Sequence, residues 1–232
     1  MMKSESKLPP GQYESETFYR FGLTPFANRF PRQLDQVVFE ITGDVAQPMS
    51  ISEVFSKLPR VEQTSDFHCV TTWSFKSLRW SGVRFSEFYD KIVKAKALPA
   101  EDIGFVILRA QDGYRTCLPL ADLLAEDVML ADQLNGSPLT LEHGAPVRLV
   151  APAHYGYKNV KYICGFEFRR DNKLYRPSGF RFMDHPRARV AMEERAKFGP
   201  GWLFRFLYRP LVKPTVKKFQ QAMRNYQESK SR

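Results

Sequence analysis

Three cysteines and four histidines limit what this 232-residue chain can do with a soft ligand or an imidazole. Cys69, Cys117 and Cys164 are odd in number and match no zinc spacing, so neither a disulfide framework nor a zinc cage is the economical reading. An isolated cysteine ordinarily behaves as a small buried hydrophobe. Cys69 stands out through its surroundings, Phe67-His68-Cys69-Val70-Thr71-Thr72-Trp73-Ser74, followed by Trp80-Ser81-Gly82-Val83. A cysteine at a strand end or in a loop can present its sulfur to a bulky soft metal centre. His68-Cys69 also has the composition of a thiol beside an imidazole. Neighbours on an extended strand point to opposite sides, however, which weighs against such a dyad.

A second chemical segment lies downstream: His143-Gly144-Ala145-Pro146-Val147-Arg148-Leu149-Val150-Ala151-Pro152, then Tyr155-Gly156-Tyr157-Lys158-Asn159-Val160-Lys161-Tyr162. A glycine-containing loop offers backbone N–H groups, and His143, Arg148, Lys158 and Lys161 are expected to converge around one strand. That combination suits a phosphate or another anion, although a hairpin with incidental surface cations has the same composition.

The elements that must hold these residues are short. Residues 1–36, punctuated by Pro9, Pro10, Pro25 and Pro31, read as an ordered arm without periodicity. Strands are expected at Val37–Thr42, ending at Gly43-Asp44, at Gly104–Arg109, at Val147–Ala151 and at Tyr162–Phe168, with Phe67–Thr72 a strand end entering a loop. Asn135-Gly136 signals a hairpin. Helices are expected after Ser50-Ile51-Ser52-Glu53 with Ser50 as cap, over Phe85–Val93, and from Pro119. A charged helix is expected from about Pro186 to Phe198, broken by Gly199-Pro200-Gly201. Beyond it, Trp202, Leu203, Phe206 and Leu207 share a helical face. After Pro214, so do Val216, Phe219, Met223 and Tyr226, one stripe of a helix expected either to pack on the protein's own body or to bind elsewhere. The class is α+β without βαβ repetition.

In this order and at this separation, the two chemical segments resemble the molybdopterin-binding domain of the sulfite oxidase family. The match is nearest to the bacterial branch that includes the periplasmic methionine-sulfoxide reductase catalytic subunit. The likeness spans about Glu16 to Lys161 and extends toward Asp184-His185-Pro186. It rests on Cys-Val-x-x-Trp-Ser with Trp-x-Gly, on His-Gly-x-Pro-Val-Arg-Leu-Val-x-Pro and on Gly-Tyr-Lys-x-x-Lys. It implies a mixed-sheet, sulfite-oxidase-type fold over residues 37–185, an arm over 1–36 that touches the cofactor, and a helical basic extension over 186–232. It further implies a molybdenum-molybdopterin cofactor (Mo-MPT). Cys69 would be the metal's protein ligand and the pterin dithiolene would supply two more sulfurs. His143, Arg148, Asn159, Val160 and Lys161 fall where the family holds the pterin and its phosphate. Thr17-Phe18-Tyr19-Arg20-Phe21-Gly22 resembles a further cofactor-touching segment, which makes Tyr19, Arg20 and Glu16 candidates, and Ala110 stands at a backbone-contact position. Thr71 is a candidate for shaping the metal's open position, and Tyr114 and Tyr155 are candidate phenolic donors. Thr17 and Thr71 stand where the methionine-sulfoxide reductase has Asn and Glu. The arginine-rich anion pocket of sulfite oxidases has no counterpart, and Tyr175 matches their active-site tyrosine only loosely.

The expected activity is therefore oxygen-atom transfer on a small S- or N-oxide or a sulfite-like substrate. Lacking a haem-attachment motif or a flavin fingerprint, the chain would exchange electrons with a separate protein or carrier. The alternative is a non-catalytic protein that keeps the cofactor fold and docks through its tail. The formal charge of +10 arises entirely in residues 176–232, where fourteen Lys+Arg face four Asp+Glu. That localisation disfavours nucleic acid and suggests a dock for an acidic partner or a peripheral membrane contact. The N-terminal stretch has no apolar core of a secretory signal, so a cytoplasmic location is expected.

Overall fold

A computed structural model describes residues 8–231. Residues 1–7, which carry much of the stretch read for a signal, lie outside them. In chain order the elements are β1 (Tyr13–Glu14), β2 (Phe39–Gly43), β3 (Met49–Ile51), α1 (Val54–Lys57), β4 (Arg60–His68), β5 (Trp73–Arg84) and α2 (Phe85–Phe88). They continue with β6 (Phe105–Ala110), β7 (Arg115–Pro119), α3 (Leu120–Leu123), β8 (Met129–Leu134), β9 (Ser137–Pro138), β10 (Arg148–Val150), β11 (Ile163–Arg169), α4 (Gly201–Tyr208) and α5 (Val212–Lys230).

Two mixed sheets result, so the molecule is α+β. The first runs β1-β5-β8-β10, with β4 on β5 and β9 on β8; β1 lies parallel to β5. The second runs β3-β2-β11-β6-β7, in which β2 and β11 are parallel. Alternation along each strand divides the apolar residues between two layers. Leu130 and Leu149 join Phe39, Ile41, Phe85, Phe88, Val106, Leu108, Phe166 and Phe168 in the core shared by the sheets and α2. Their neighbours Met129, Ala131 and Val150 pack with Leu78 and Trp80 on the opposite face of the first sheet.

Local expectations and tertiary structure part company in three places. Ser50 does not cap a helix: it pairs with Glu40 in β3, and α1 starts only after Glu53, with no side-chain cap. Ladder hydrogen bonds to a buried strand outweigh one short cap. The helix beginning at Phe85 passes into a π-helical segment, Tyr89–Ala97, ended by Leu98 at φ 51°. The charged helix expected at 186–198 does not form. Ala188 and Glu193 adopt left-handed φ of 57° and 54°, and the charges are consumed in one distant pair and two local, non-helical ones. Arg187 grips Asp122, Arg189 grips Glu194, and Arg195 reaches Glu193. α4 and α5 do form, with Phe219 and Met223 buried. The tail lies against the body through Phe219, which stacks on Phe21 at 6.4 Å, and through Tyr226, 4.1 Å from Phe30.

Candidate functional site

Cys69 occupies the tip of the β4–β5 hairpin. Its N–H donates to Trp73 O (2.8 Å) and its carbonyl accepts from Thr72 N–H (3.1 Å), with Thr72 at φ 85°. This tight reversal is what turns the sulfur out of the strand ladder. Cys69 Sγ lies 3.1 Å from Thr71 Oγ1. Burial pushes the thiol pKa up, while the Thr71 hydrogen bond and the Arg195 and Lys161 charges oppose the rise. His68 points elsewhere, with Nδ1 2.7 Å from Ser74 Oγ, so the adjacent imidazole is no partner for the thiol.

The sulfur faces a cavity of about 960 Å³ walled by four stretches of chain. These are the arm from Phe18 to Phe26, the hairpin tip, the 142–162 region and the 178–183 loop; α4, α5 and the turn between them close it with Phe204, Leu207, Tyr208, Leu211, Thr215 and Phe219. Of the residues singled out by sequence, Tyr19, Arg20, Cys69, Thr71, Tyr114, His143, Arg148, Asn159, Val160 and Lys161 all line it. Glu16 is solvent-exposed and not among the lining residues. Ala110 is buried in β6, where its N–H donates to Tyr114 O and its carbonyl accepts from Gly113 N–H, and it is not among the lining residues. Lys158 does not converge with the other cations. Its Nζ is buried against Cys117 O and Asp184, each at 2.9 Å. Tyr155 is fully buried off the cavity, and Tyr175 lines a separate 240 Å³ pocket beside Asp184. Tyr114 reaches the cavity, but its hydroxyl donates to Tyr157 O at 2.8 Å.

Three cations define one side of the cavity. Arg20 donates to Ala27 O (2.8 Å) and Arg29 O (3.1 Å) and is sandwiched near the Phe30 and Phe219 rings. Arg148 donates to His143 O (3.0 Å) and lies over Trp80 at 5.0 Å. Lys161 donates to Phe21 O at 3.2 Å. Among the described residues, none of the three has a carboxylate within ion-pair distance. The consequence is electrostatic. Burial, reinforced by Arg20 and Arg148, holds Lys161 down to about 7. Burial, then Arg148 and Lys161, keep His143 down to about 4. Its Nδ1 is buried without a hydrogen-bond partner. Asp112 lines the same cavity and acts on Lys161 from beyond ion-pair distance, so one carboxylate faces three desolvated cations, and the orphaned ring nitrogen has no polar partner. With a soft sulfur on the facing loop, the donor set fits an anionic, phosphate-bearing group that also carries a thiophilic metal.

Sequence reading missed the far wall. Phe180, Phe182 and the α4–α5 residues carry no motif, and only their apolar side chains in a basic segment set them apart. It also missed Arg195. Fully buried, Arg195 donates to Val70 O (2.6 Å) and Pro10 O (3.0 Å) and pairs with Glu193, tying the hairpin tip to the arm and the tail.

The oxidoreductase molybdopterin binding domain model matches residues 27–175. Over 169 residues, 72% of this chain and 81% of the relative, the sequence is 42% identical to a Bacillus subtilis protein described as the uncharacterized oxidoreductase YuiH. Among solved structures, the sulfane dehydrogenase SoxCD from Paracoccus pantotrophus is similar in fold, with TM-score 0.51 and 22% identity. That likeness covers 58% of this chain but only 38% of the SoxCD chain, so well under half of that protein's length has a counterpart here.

Proposed function

The chain belongs to the oxidoreductase molybdopterin-binding family of sulfite-oxidase type, with Mo-MPT as its cofactor, and from that premise we propose that it transfers an oxygen atom to or from a small S- or N-oxide or sulfite-like substrate. The observation that carries this reading is Cys69 held at a hairpin tip, facing a cavity of about 960 Å³ whose opposite side gathers Arg20, Arg148 and Lys161, none of them in a direct ion pair among the described residues. When bound, the cofactor supplies oxygen-atom transfer coupled to a two-electron change at the metal, and the protein supplies ligation, orientation and electrostatics.

The residues divide that work. Cys69 provides the protein sulfur for the metal, and the Thr71 hydroxyl beside it tempers the electron density on that sulfur. Arg20, Arg148 and Lys161 hold the phosphate, and His143 offers its unpartnered Nδ1 to the pterin. Tyr19, Asn159 and Val160 shape the cavity wall. Asn159 acts largely by fixing backbone, since its Oδ1 accepts from Ala151 N–H at 2.7 Å. Tyr114 holds its proton on Tyr157 O and so serves as a wall rather than a proton donor. Phe180, Phe182 and Leu207 at the mouth exclude water.

Electrons come from a separate protein or carrier, a reading that rests on the family chemistry, in which the metal changes by two electrons for each oxygen atom moved. Protein made in a cofactor-competent host should contain molybdenum and pterin in equal amounts. Cys69→Ala should lose turnover by about three orders of magnitude or more, the scale of removing an essential ligand or nucleophile. Full turnover by that variant, or native protein devoid of both components, would overturn the reading. A screen of S-oxides, N-oxides and sulfite then assigns the substrate.

A further inference from the structure

α4 is apolar over most of its surface, its one charged side chain, Arg205, being paired with Glu193. Phe204 turns toward the cavity and Tyr208 is buried, as expected of a helix packed on a body. Its other face remains bare: Trp202 is 55% and Phe206 70% exposed, and Leu203, Leu207 and Leu211 are exposed with them. These positions recur at helical spacing along α4 and the turn after it, so they form one continuous face where a surface helix normally carries charge. Opposite the helix, Phe180, 71% exposed, stacks on exposed Phe182 with ring centroids 5.9 Å apart. Leu207, Leu211, Phe180 and Phe182 also line the cavity, so the bare apolar surface reaches the cavity mouth. A contiguous patch of this composition marks a docking surface.

Its margin is cationic. Arg181, Lys197, Arg209, Lys213, Lys217 and Lys218 are exposed on the same stretches of chain, the 180–182 loop and the tail. From Arg195 to the last residue the sequence carries ten Lys+Arg and a single acid, Glu228. Among the described residues Lys213, Lys217 and Lys218 have no ion-pair partner, so their charge is available to something outside the molecule.

We propose that this face docks on an anionic lipid bilayer, seating Trp202, Phe206 and the 180–182 loop at the headgroup boundary with the cavity mouth turned toward the membrane. Protein interface cores share the aromatic content but are depleted in lysine. Trp, Phe and Leu flanked by Lys and Arg is instead the composition of helices that lie in a membrane interface. A second copy of the chain would bring the same positive margin and be repelled. A soluble acidic protein would satisfy the margin and leave the bare aromatic face unaccounted for. The surface is independent of the reaction proposed for the cavity, so either can fail without the other.

Flotation of the purified full-length holoprotein with vesicles of phosphatidylcholine alone, and of phosphatidylcholine mixed with phosphatidylglycerol, tests the assignment. The protein should float with the anionic vesicles, less so as salt is raised, and should stay behind with the neutral ones. Trp202→Ser combined with Phe206→Ser should lower the bound fraction about tenfold or more, through lost apolar insertion. Because neither side chain lines the cavity, the molybdenum content should be unchanged, which also reports that the variant is folded. Lys217→Glu with Lys218→Glu should weaken binding while leaving the apolar face intact. No flotation with anionic vesicles, or equal flotation of the Trp202/Phe206 variant, overturns the proposal. So does a self-association of the wild type that the same variant abolishes without any vesicle binding, which would assign the face to a second copy.

Discussion

At the scale of single residues, the site is defined by charges that the protein alone leaves unbalanced. Lys161 is the most diagnostic, because burial and its arginine neighbours hold it at about 7 against an ordinary 10.5. Between those values the folded, cofactor-free chain binds fewer protons at Lys161 than the unfolded chain does. Its stability should therefore rise with pH across that window. His143, held at about 4 against 6.5, acts in the same sense at lower pH. Melting curves of cofactor-free protein from neutral pH to about 9 should show the Lys161 rise, and Lys161→Met should flatten it. Cofactor-loaded protein should show a weaker rise, since a bound phosphate restores the ammonium. An unchanged slope in the methionine variant would remove Lys161 from the cradle. These residues were legible as types: Cys69, Arg20, His143, Arg148 and Lys161 stand in motifs. Lys158 shows the limit, since the sequence puts it three residues from Lys161 while the backbone turn sends it to Asp184 on another face.

At the scale of elements, the hairpin β4–β5 and its neighbour β8 do the positioning. β5 pairs with β8 through a register shift at Ser81/Gly82. A Cβ on Gly82 would stand 2.0 Å from Leu130 O and 2.8 Å from Ala131 Cα, both backbone atoms that cannot move aside cheaply. Gly82→Ala should accordingly destabilise the protein by about 1–3 kcal/mol, read by denaturant unfolding. A neutral result would mean that the strands separate there at no cost. Strands and turns were readable because alternation and Asn135-Gly136 are local signals. The segment 186–198 was not, because its helical composition is overruled by partners distant in sequence. Asp122 meets Arg187 across the fold, and Arg195 meets Val70 and Pro10. Buried Arg195 and its carbonyl acceptors hold the segment in non-helical contacts, with Ala188 and Glu193 in the left-handed region.

At the scale of the whole molecule, the cavity is assembled from both ends of the chain. The arm contributes Arg20 and Phe21, the tail contributes Phe219, and the three meet: Arg20 lies 5.0 Å from the Phe219 ring, and Lys161 6.0 Å from it. Phe219→Ala should cost about 3–5 kcal/mol as a core truncation. It should also speed cofactor loss during gel filtration, because the arm that carries Arg20 loses its cover. Retention equal to wild type would confine the tail's role to the outer surface. The neutral body and basic tail visible in the charge distribution are thus a division of charge, while the site itself draws on both.

The sequence by itself determined the class of chemistry. It did so through the resemblance carried by its ordered motifs: Cys69 at a strand end, the cation-rich glycine loop and their separation are each compatible with ordinary packing when taken alone. Only the tertiary structure decided which cations share the cavity, that Arg195 anchors the hairpin tip, and that the tail both closes the site and leaves an aromatic face bare. Those outcomes depend on contacts between residues far apart in sequence. Burial, and with it charge balance, is set by those contacts and by nothing that a single segment carries.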